Sequence, residues 1–311
     1  MSRYPFMERV DEYMDTRRGI LADTSWTGQY RRYRRMERDL IQLKEENRIS
    51  TLSPARMTEG DVKEFIIYRK GKKTGYSDVS HDITALEQLL VYCGNVSVRQ
   101  CLQNNPGLRA PPRPPRLDPL PPEVYPAILE AYRKCDHDDL AMVRAFSLVL
   151  MSIACGTRNK ELRLADVSDL DTDRWLLTIR HVKGEATYGV VRTVPVPEDV
   201  RPAVLNYLYL RNECLSQLNR RSNALFCAFR GETDHLSSNS FRKIKSKVEE
   251  AIGFTFELRD CRRTFGQNYL DKGMRVESLS VLMGHNTTKT TETYYCRVPE
   301  SQAIEEARRL W

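Results

Sequence analysis

The stretch RDCRRTFGQNYLDKGMRVESLSVLMGHNTTKTTETYY, residues 259–295, decides how this chain is read. It opens on an arginine-rich box, Arg259-Asp260-Cys261-Arg262-Arg263-Thr264-Phe265. A glycine–histidine pair follows in Leu282-Met283-Gly284-His285, and the stretch closes on Thr290-Thr291-Glu292-Thr293-Tyr294-Tyr295. Tyr294 stands nine residues after His285. Neighbouring residues on a helix point about 100° apart, so only one of Tyr294 and Tyr295 can face a given point. Taken singly, each arginine or histidine is an ordinary surface or core residue; order and spacing give the set its meaning.

Upstream, Cys155-Gly156-Thr157-Arg158-Asn159-Lys160-Glu161-Leu162 puts an arginine just past a glycine that ends an apolar helix, Leu140 to Cys155. Glu161 lies one turn beyond Arg158, within reach of its guanidinium. Two strand candidates, Trp175 to Arg180 and Val190 to Val196, flank a hairpin holding Lys183, Gly184 and Gly189. Nine of the fifteen prolines fall between Pro106 and Pro126, which reads as an extended linker studded by Arg109, Arg113 and Arg116. Before it, helical periods dominate. Tyr33, Met36, Leu40 and Leu43 make one apolar stripe, with Thr24 or Ser25 as its expected cap. Thr58 with Asp61 resembles a capping box, and a further helix is expected over about Asp82 to Tyr92. After the linker a helix is expected from Pro122 to Lys134. The expected organisation is a helical domain over 1–104, a linker over 105–121 and a second domain over 122–311. The fold class is mainly α with a small β-sheet (α+β).

Hydrophobic residues at 41% and charged residues at 29% describe a globular chain with a core, not a disordered tail. A net charge of +7 suits a polyanionic partner. Arginine and tyrosine interleave at Tyr30-Arg31-Arg32-Tyr33-Arg34-Arg35, and a second basic cluster follows at Lys70, Lys72 and Lys73. Either is an ordinary solvated face alone; two in one small domain suggest a DNA-facing surface. The eight cysteines form no CxxC pair and read as reduced thiols. The first ten residues are not a signal peptide and no apolar run is long enough to span a bilayer, so a cytoplasmic, nucleoid-associated location with no membrane partner is expected.

The ordered boxes make the C-terminal half, roughly 117–298, resemble the catalytic domain of the tyrosine recombinase or phage integrase superfamily. The N-terminal helical domain is similar to that family's core-binding domain in size, position and helical content. The resemblance implies that Arg158 and Arg262 hold the scissile phosphate, where planar permanent cations fit two oxygens at once. It implies that Lys183 is the general acid for the departing 5′ oxygen, that His285 hydrogen-bonds the phosphate or the attacking oxygen, and that Tyr294 is the nucleophile, with Tyr295 as its rival. It further implies double-stranded DNA carrying specific recombination sites as partner, a homotetramer on that DNA, and no cofactor, because the phosphotyrosine conserves the bond energy. An accessory DNA-bending factor is left open. The tail Glu300 to Trp311, with Ala303, Ile304, Ala307 and Leu310 on one side, could pack on its own domain, but the resemblance implies a C-terminal helix that exchanges with a neighbour.

The chain departs from the family pattern in three places. Arg259 replaces the usual histidine of the His-x-x-Arg box and cannot accept a proton, though it can still donate hydrogen bonds to a phosphate. The segment from Lys183 to Pro195 is longer than the common hairpin, and Met283 replaces leucine. Three rival readings stay open: a type IB topoisomerase-like DNA-relaxing enzyme, a catalytically weak DNA-binding protein, and a metal-dependent nuclease using Asp136 to Asp139. That last run reads more simply as a loop joining helices.

Overall fold

The structure is a computed structural model that describes residues 5–72, 76–109, 118–182, 189–294, 304–305 and 307–308. Lys73, Lys183, Tyr295, the arginines at 113 and 116 and most of the C-terminal tail lie outside the described residues. The chain forms two compact units that divide inside the proline-rich stretch, Met1–Pro114 and Pro115–Trp311. Among the described residues no helix is long and apolar enough to cross a membrane. The seven described cysteines are free thiols, four of them buried.

The first unit is helical: α1 (Pro5–Asp15), α2 (Asp23–Glu45), α3 (Glu59–Gly71), α4 (Tyr76–Tyr92) and α5 (Ser97–Asn104). The expected stripe of α2 is the centre of its core, with Tyr33, Met36, Leu40 and Leu43 fully buried beside Phe6, Phe65 and Leu86. Tyr33 donates its buried hydroxyl to the Ala85 carbonyl at 2.8 Å. Thr58 and Asp61 form the capping box of α3, each side chain accepting the other's backbone N–H. The start of α2 differs from expectation. Ala22 precedes it without a side-chain cap, and Thr24 and Ser25 lie inside the first turn behind Asp23, whose carboxylate suits the positive end of the helix dipole.

α4 begins well before Asp82, because Asp82 is not a helix start but a buried carboxylate in mid-helix. It takes Arg69 at 2.7 Å and Arg35 at 2.7 Å, and Arg32 binds the same oxygen as Arg35. Arg69 also pairs with Asp39 at 2.8 Å, and Asp39 with Lys72 at 2.6 Å. Two members of the basic cluster on α2 therefore turn onto a carboxylate of α4, while Arg31 and Arg34 stay exposed. Lys70 donates to the carbonyls of Gly107 and Arg109.

The second unit is organised around α7 (Leu140–Ala154), whose residues from Ala145 to Ala154 are all buried. A helix so largely apolar, and buried through its last ten residues, belongs at the centre of a core. α6 (Val124–Lys134), α9 (Arg201–Gln217), α10 (Ser238–Ile252) and α11 (Leu258–Asp271) pack around it. α6 starts inside the expected bound, after Pro121 and Pro122. Asp139 caps α7 through the amides of Ala141 and Met142, and Asp136 accepts the Asp138 amide, so these carboxylates serve the helix-joining loop. Three short antiparallel strands, β1 (Leu170–Asp171), β2 (Leu176–Ile179) and β3 (Arg192–Pro195), pair in the order β1-β2-β3, with Leu177 opposite both Leu170 and Val194. β2 and β3 fall within the two strand candidates. β1 was not expected, since two residues carry no readable alternation. The remaining elements are α8 (Asn159–Arg163), α12 (Val276–Met283) and α13 (Thr288–Tyr294).

Asp82→Asn leaves Arg69 buried against half of its counter-charge. Stability of the first unit is expected to fall by about 3–5 kcal/mol, the usual cost of breaking a buried pair. Urea denaturation followed by circular dichroism measures it, and a loss under about 1 kcal/mol would mean that the network does not hold these helices.

Candidate active site

The site starts where α7 ends. Cys155 closes the helix and Gly156 turns the chain at φ +57°, a left-handed conformation that glycine adopts without strain. A Cβ at Gly156 would lie 2.4 Å from the Phe265 ring of α11, so close approach as well as backbone angle requires glycine. The Gly156 carbonyl accepts a hydrogen bond from Arg262 Nη1 at 2.7 Å. That single turn brings the end of α7, the start of α8 and the middle of α11 together.

Two residues on, Arg158 stands at the N-terminus of α8. Its amide donates to Glu161 Oε2 at 2.8 Å and its guanidinium to Oε1 at 2.7 Å. Glu161 is buried, yet it faces three arginines: Arg158, Arg192 of β3 at 2.7 Å, and Arg262 at 3.9 Å. Burial alone would raise its pKa; the hydrogen bonds and charge of Arg192, the Arg158 amide and the Arg262 charge outweigh this and draw it down to about 2. Among the described residues that meet at Glu161, three guanidinium charges face one carboxylate, so the cluster is net positive. Arg158, with a third of its side chain exposed, presents that charge to solvent.

His285 completes the cluster. α12 ends at Gly284, φ +62°, which turns the chain back towards α11. Arg262 Nη2 donates to the Met283 carbonyl and lies 3.1 Å from His285 Nε2, while His285 Nδ1 lies 2.8 Å from the hydroxyl of Thr291, fully buried on α13. A guanidinium only donates, so Nε2 is the acceptor and Nδ1 carries the hydrogen given to Thr291. Burial, then the charges of Arg262, Arg158 and Arg192, push the His285 pKa down to about 3, so the ring is neutral at physiological pH. Arg158, Val182, Gly189, Val190, His285 and Thr290 line a cleft of about 290 Å³ at this point.

The structure thus brings Arg158, Arg262 and His285 into one cluster across 128 residues of sequence, from 158 to 285. It does not bring Arg259 in: that residue is exposed and forms no hydrogen bond or ion pair among the described residues. Lys183 lies outside the described residues, directly after the cleft residue Val182 in sequence. Tyr294 is the last residue of α13, the helix that carries Thr291. Two members of the cluster, Arg192 and Thr291, were missed. Arg192 had a signal. In Val190 to Val196 strict alternation sets Arg192 on the same strand face as Val194 and Val196, the face that is buried. Thr291 had none, sitting in a run of polar residues.

Residues 119–301 match the family model for the phage integrase family. The chain belongs to the phage integrase family. Among its relatives, the tyrosine recombinase XerA of Pyrococcus furiosus is 26% identical over 174 residues, 54% of this chain and 56% of that protein. The chain thus spans about half the length of several curated relatives it matches. The tyrosine recombinase XerD of Mycobacterium tuberculosis is 27% identical over 294 residues, 91% of this chain and 90% of that protein. The integrase fold is shared with the Tn1549 transposon integrase in complex with a circular intermediate DNA, at a TM-score of 0.68 and 17% identity over 98% of this chain and 99% of that one. A lambda integrase tetramer bound to a Holliday junction gives a TM-score of 0.63 at 16% identity, covering 94% and 79%.

Two outcomes are expected. Gly156→Ala forces Phe265 away from the turn and sets a Cβ on a left-handed backbone, destabilising the second unit by about 2–4 kcal/mol in denaturant unfolding; a neutral substitution would show that the turn is not constrained. Folded His285 and Glu161 bind protons less readily than their unfolded values of 6.5 and 4.5. Unfolding therefore takes up protons in acid. The stability these groups contribute is complete above pH 6.5, declines as pH falls, and is exhausted near the folded values of about 3 and 2. Unfolding midpoints between pH 7 and 3 check this, and His285→Gln should flatten the upper part of the decline.

Proposed function

We propose that this chain is a site-specific DNA recombinase that cuts and rejoins DNA through a phosphotyrosine at Tyr294. The observation that carries this reading is the shared Glu161 carboxylate, which gathers Arg158, Arg192 and Arg262 beside a neutral His285. Membership of the phage integrase family and likeness to Xer recombinases over most of the chain support it.

In the proposed reaction Tyr294 gives up its hydroxyl proton to water, and its phenolate oxygen attacks a phosphodiester. The bond from tyrosine oxygen to phosphorus forms, the bond from phosphorus to the 5′ oxygen breaks, and the product is a 3′-phosphotyrosine with a free 5′-hydroxyl. Lys183 supplies the proton for the leaving oxygen. A 5′-hydroxyl of a second strand then attacks the phosphotyrosine in reverse. Arg158 and Arg262 donate to the nonbridging oxygens and stabilise the charge that grows on them in the transition state. His285, held neutral, offers the Nε2 lone pair now turned to Arg262 as an acceptor near the phosphate. Arg259, exposed three residues before Arg262, contacts the DNA backbone and is not the proton acceptor. Energy is conserved in the phosphotyrosine, so the step needs no nucleotide or metal.

The helical first unit serves as the core-binding domain. Its exposed Arg31 and Arg34 meet phosphates directly. Arg32, Arg35 and Lys72 do so while braced by Asp82 and Asp39. Four copies assemble on two duplexes, as the lambda integrase tetramer does on a Holliday junction.

Trapping on nicked duplexes carrying candidate sites, in EDTA, tests the reading. Wild type and Tyr295→Phe are expected to give a denaturation-resistant protein–DNA adduct, and Tyr294→Phe none. An adduct that survives in Tyr294→Phe moves the nucleophile. Site-specific binding by the wild type without any adduct identifies a DNA-binding protein that has lost the chemistry.

A further inference from the structure

Arg192 is deeply buried within the cluster. Its side chain is only 4% exposed and all three of its nitrogens are engaged. Nη2 and Nη1 take the two oxygens of Glu161 at 2.7 and 3.3 Å, and Nε donates to the Leu282 carbonyl at 2.8 Å. Its stem runs directly under the glycine turn before His285: a Cβ on Gly284 would lie 3.0 Å from Arg192 Cδ and Nη1. One side chain of β3 therefore grips α8 through Glu161 and the end of α12 through Leu282. The strand it sits on is an arm of the hairpin whose other arm leads to Lys183.

We propose that Arg192 is a positioning residue for strand cleavage: it locks the Glu161 carboxylate that orients Arg158, fixes the Gly284–His285 turn against Arg262, and ties both to the hairpin. This rests on the recombinase reading and deepens it. The arrangement has a geometric part and an electrostatic part. Geometrically, a planar fork spans a carboxylate and a carbonyl together, which the single ammonium of lysine cannot do. Electrostatically, a buried cation beside the histidine adds to the field that disfavours its protonation. Among the described residues, charged groups acting on His285 include Arg158 at the start of α8, Glu161 of α8, Arg262 of α11 and Arg192 of β3, with the Thr291 hydroxyl from α13.

Arg192→Lys and Arg192→Met separate the two parts. Measured on the full-length protein are the unfolding midpoint, affinity for a site-bearing duplex, the rate of covalent adduct formation on a nicked duplex, and the titration of His285 by imidazole ¹⁵N NMR without DNA. Arg192→Lys keeps the charge, so His285 stays neutral through the acid range as in the wild type. The adduct rate falls about a hundredfold, the usual scale for a misplaced catalytic group, at near-constant DNA affinity. Arg192→Met loses the rate equally, and His285 now titrates closer to its ordinary value. A variant that folds, binds DNA, keeps the wild-type adduct rate and leaves the His285 titration unmoved overturns the proposal. If Arg192→Met does not fold, Arg192→Lys decides on rate alone. If the wild type binds its site but forms no adduct, the recombinase reading fails, and the histidine titration then judges the placement of His285 by itself.

Discussion

One buried carboxylate governs the second unit of this protein. Glu161 is 3% exposed and shared by three arginines that come from the start of α8, a strand of the sheet and the middle of α11. Taking charges out of water is costly, and three arginines gathered on one buried carboxylate are not what a fold builds for stability. It persists because the two buried arginines also have neutral anchors. Arg262 holds the Gly156 and Met283 carbonyls, and Arg192 the Leu282 carbonyl. The surplus charge is what an anion would balance. A site preassembled in this way pays its reorganisation cost during folding rather than during the reaction.

The scaffold explains why the anchors are where they are. α7 is buried on all sides, so its C-terminal end is fixed by the whole core, and Gly156 converts that fixed end into a turn facing α11. Gly284 does the same at the end of α12, where the turn rests on Arg192. Two left-handed glycines thus set the distance between Arg158 and His285. Neutral His285 follows from the same crowding: burial and three neighbouring cations leave it an acceptor, with its tautomer set by the Arg262 guanidinium at Nε2.

Much of this was legible from residues alone, and the parts that were not share a cause. Local signals worked: the apolar stripe of α2, the Thr58–Asp61 capping box, the largely apolar α7, and Glu161 one turn after Arg158. The boxes around Arg158, Arg262 and His285 are readable because few residue types do their chemistry. What stayed hidden were partners distant in sequence. Nothing near Tyr30 to Arg35 announces that Arg32 and Arg35 bend onto Asp82, 50 and 47 residues away. Asp82 itself broke the pattern of α4 because its polarity is neutralised inside the core. Arg192 was read as strand because it is strand; that its side chain faces inward onto Glu161 needed the alternation to be taken literally.

The central claim is that Glu161 organises the arginines for chemistry rather than for binding or folding alone. The most direct measurement is the single-turnover rate of covalent adduct formation by Glu161→Gln on a nicked duplex at saturating protein, with unfolding midpoint and DNA affinity taken on the same preparation. Glutamine keeps the shape and loses the charge that holds three guanidinium groups. The account predicts an adduct rate lower by about a hundredfold or more, with DNA affinity changed by only a few fold. A folded Glu161→Gln protein that forms the adduct at the wild-type rate would contradict it.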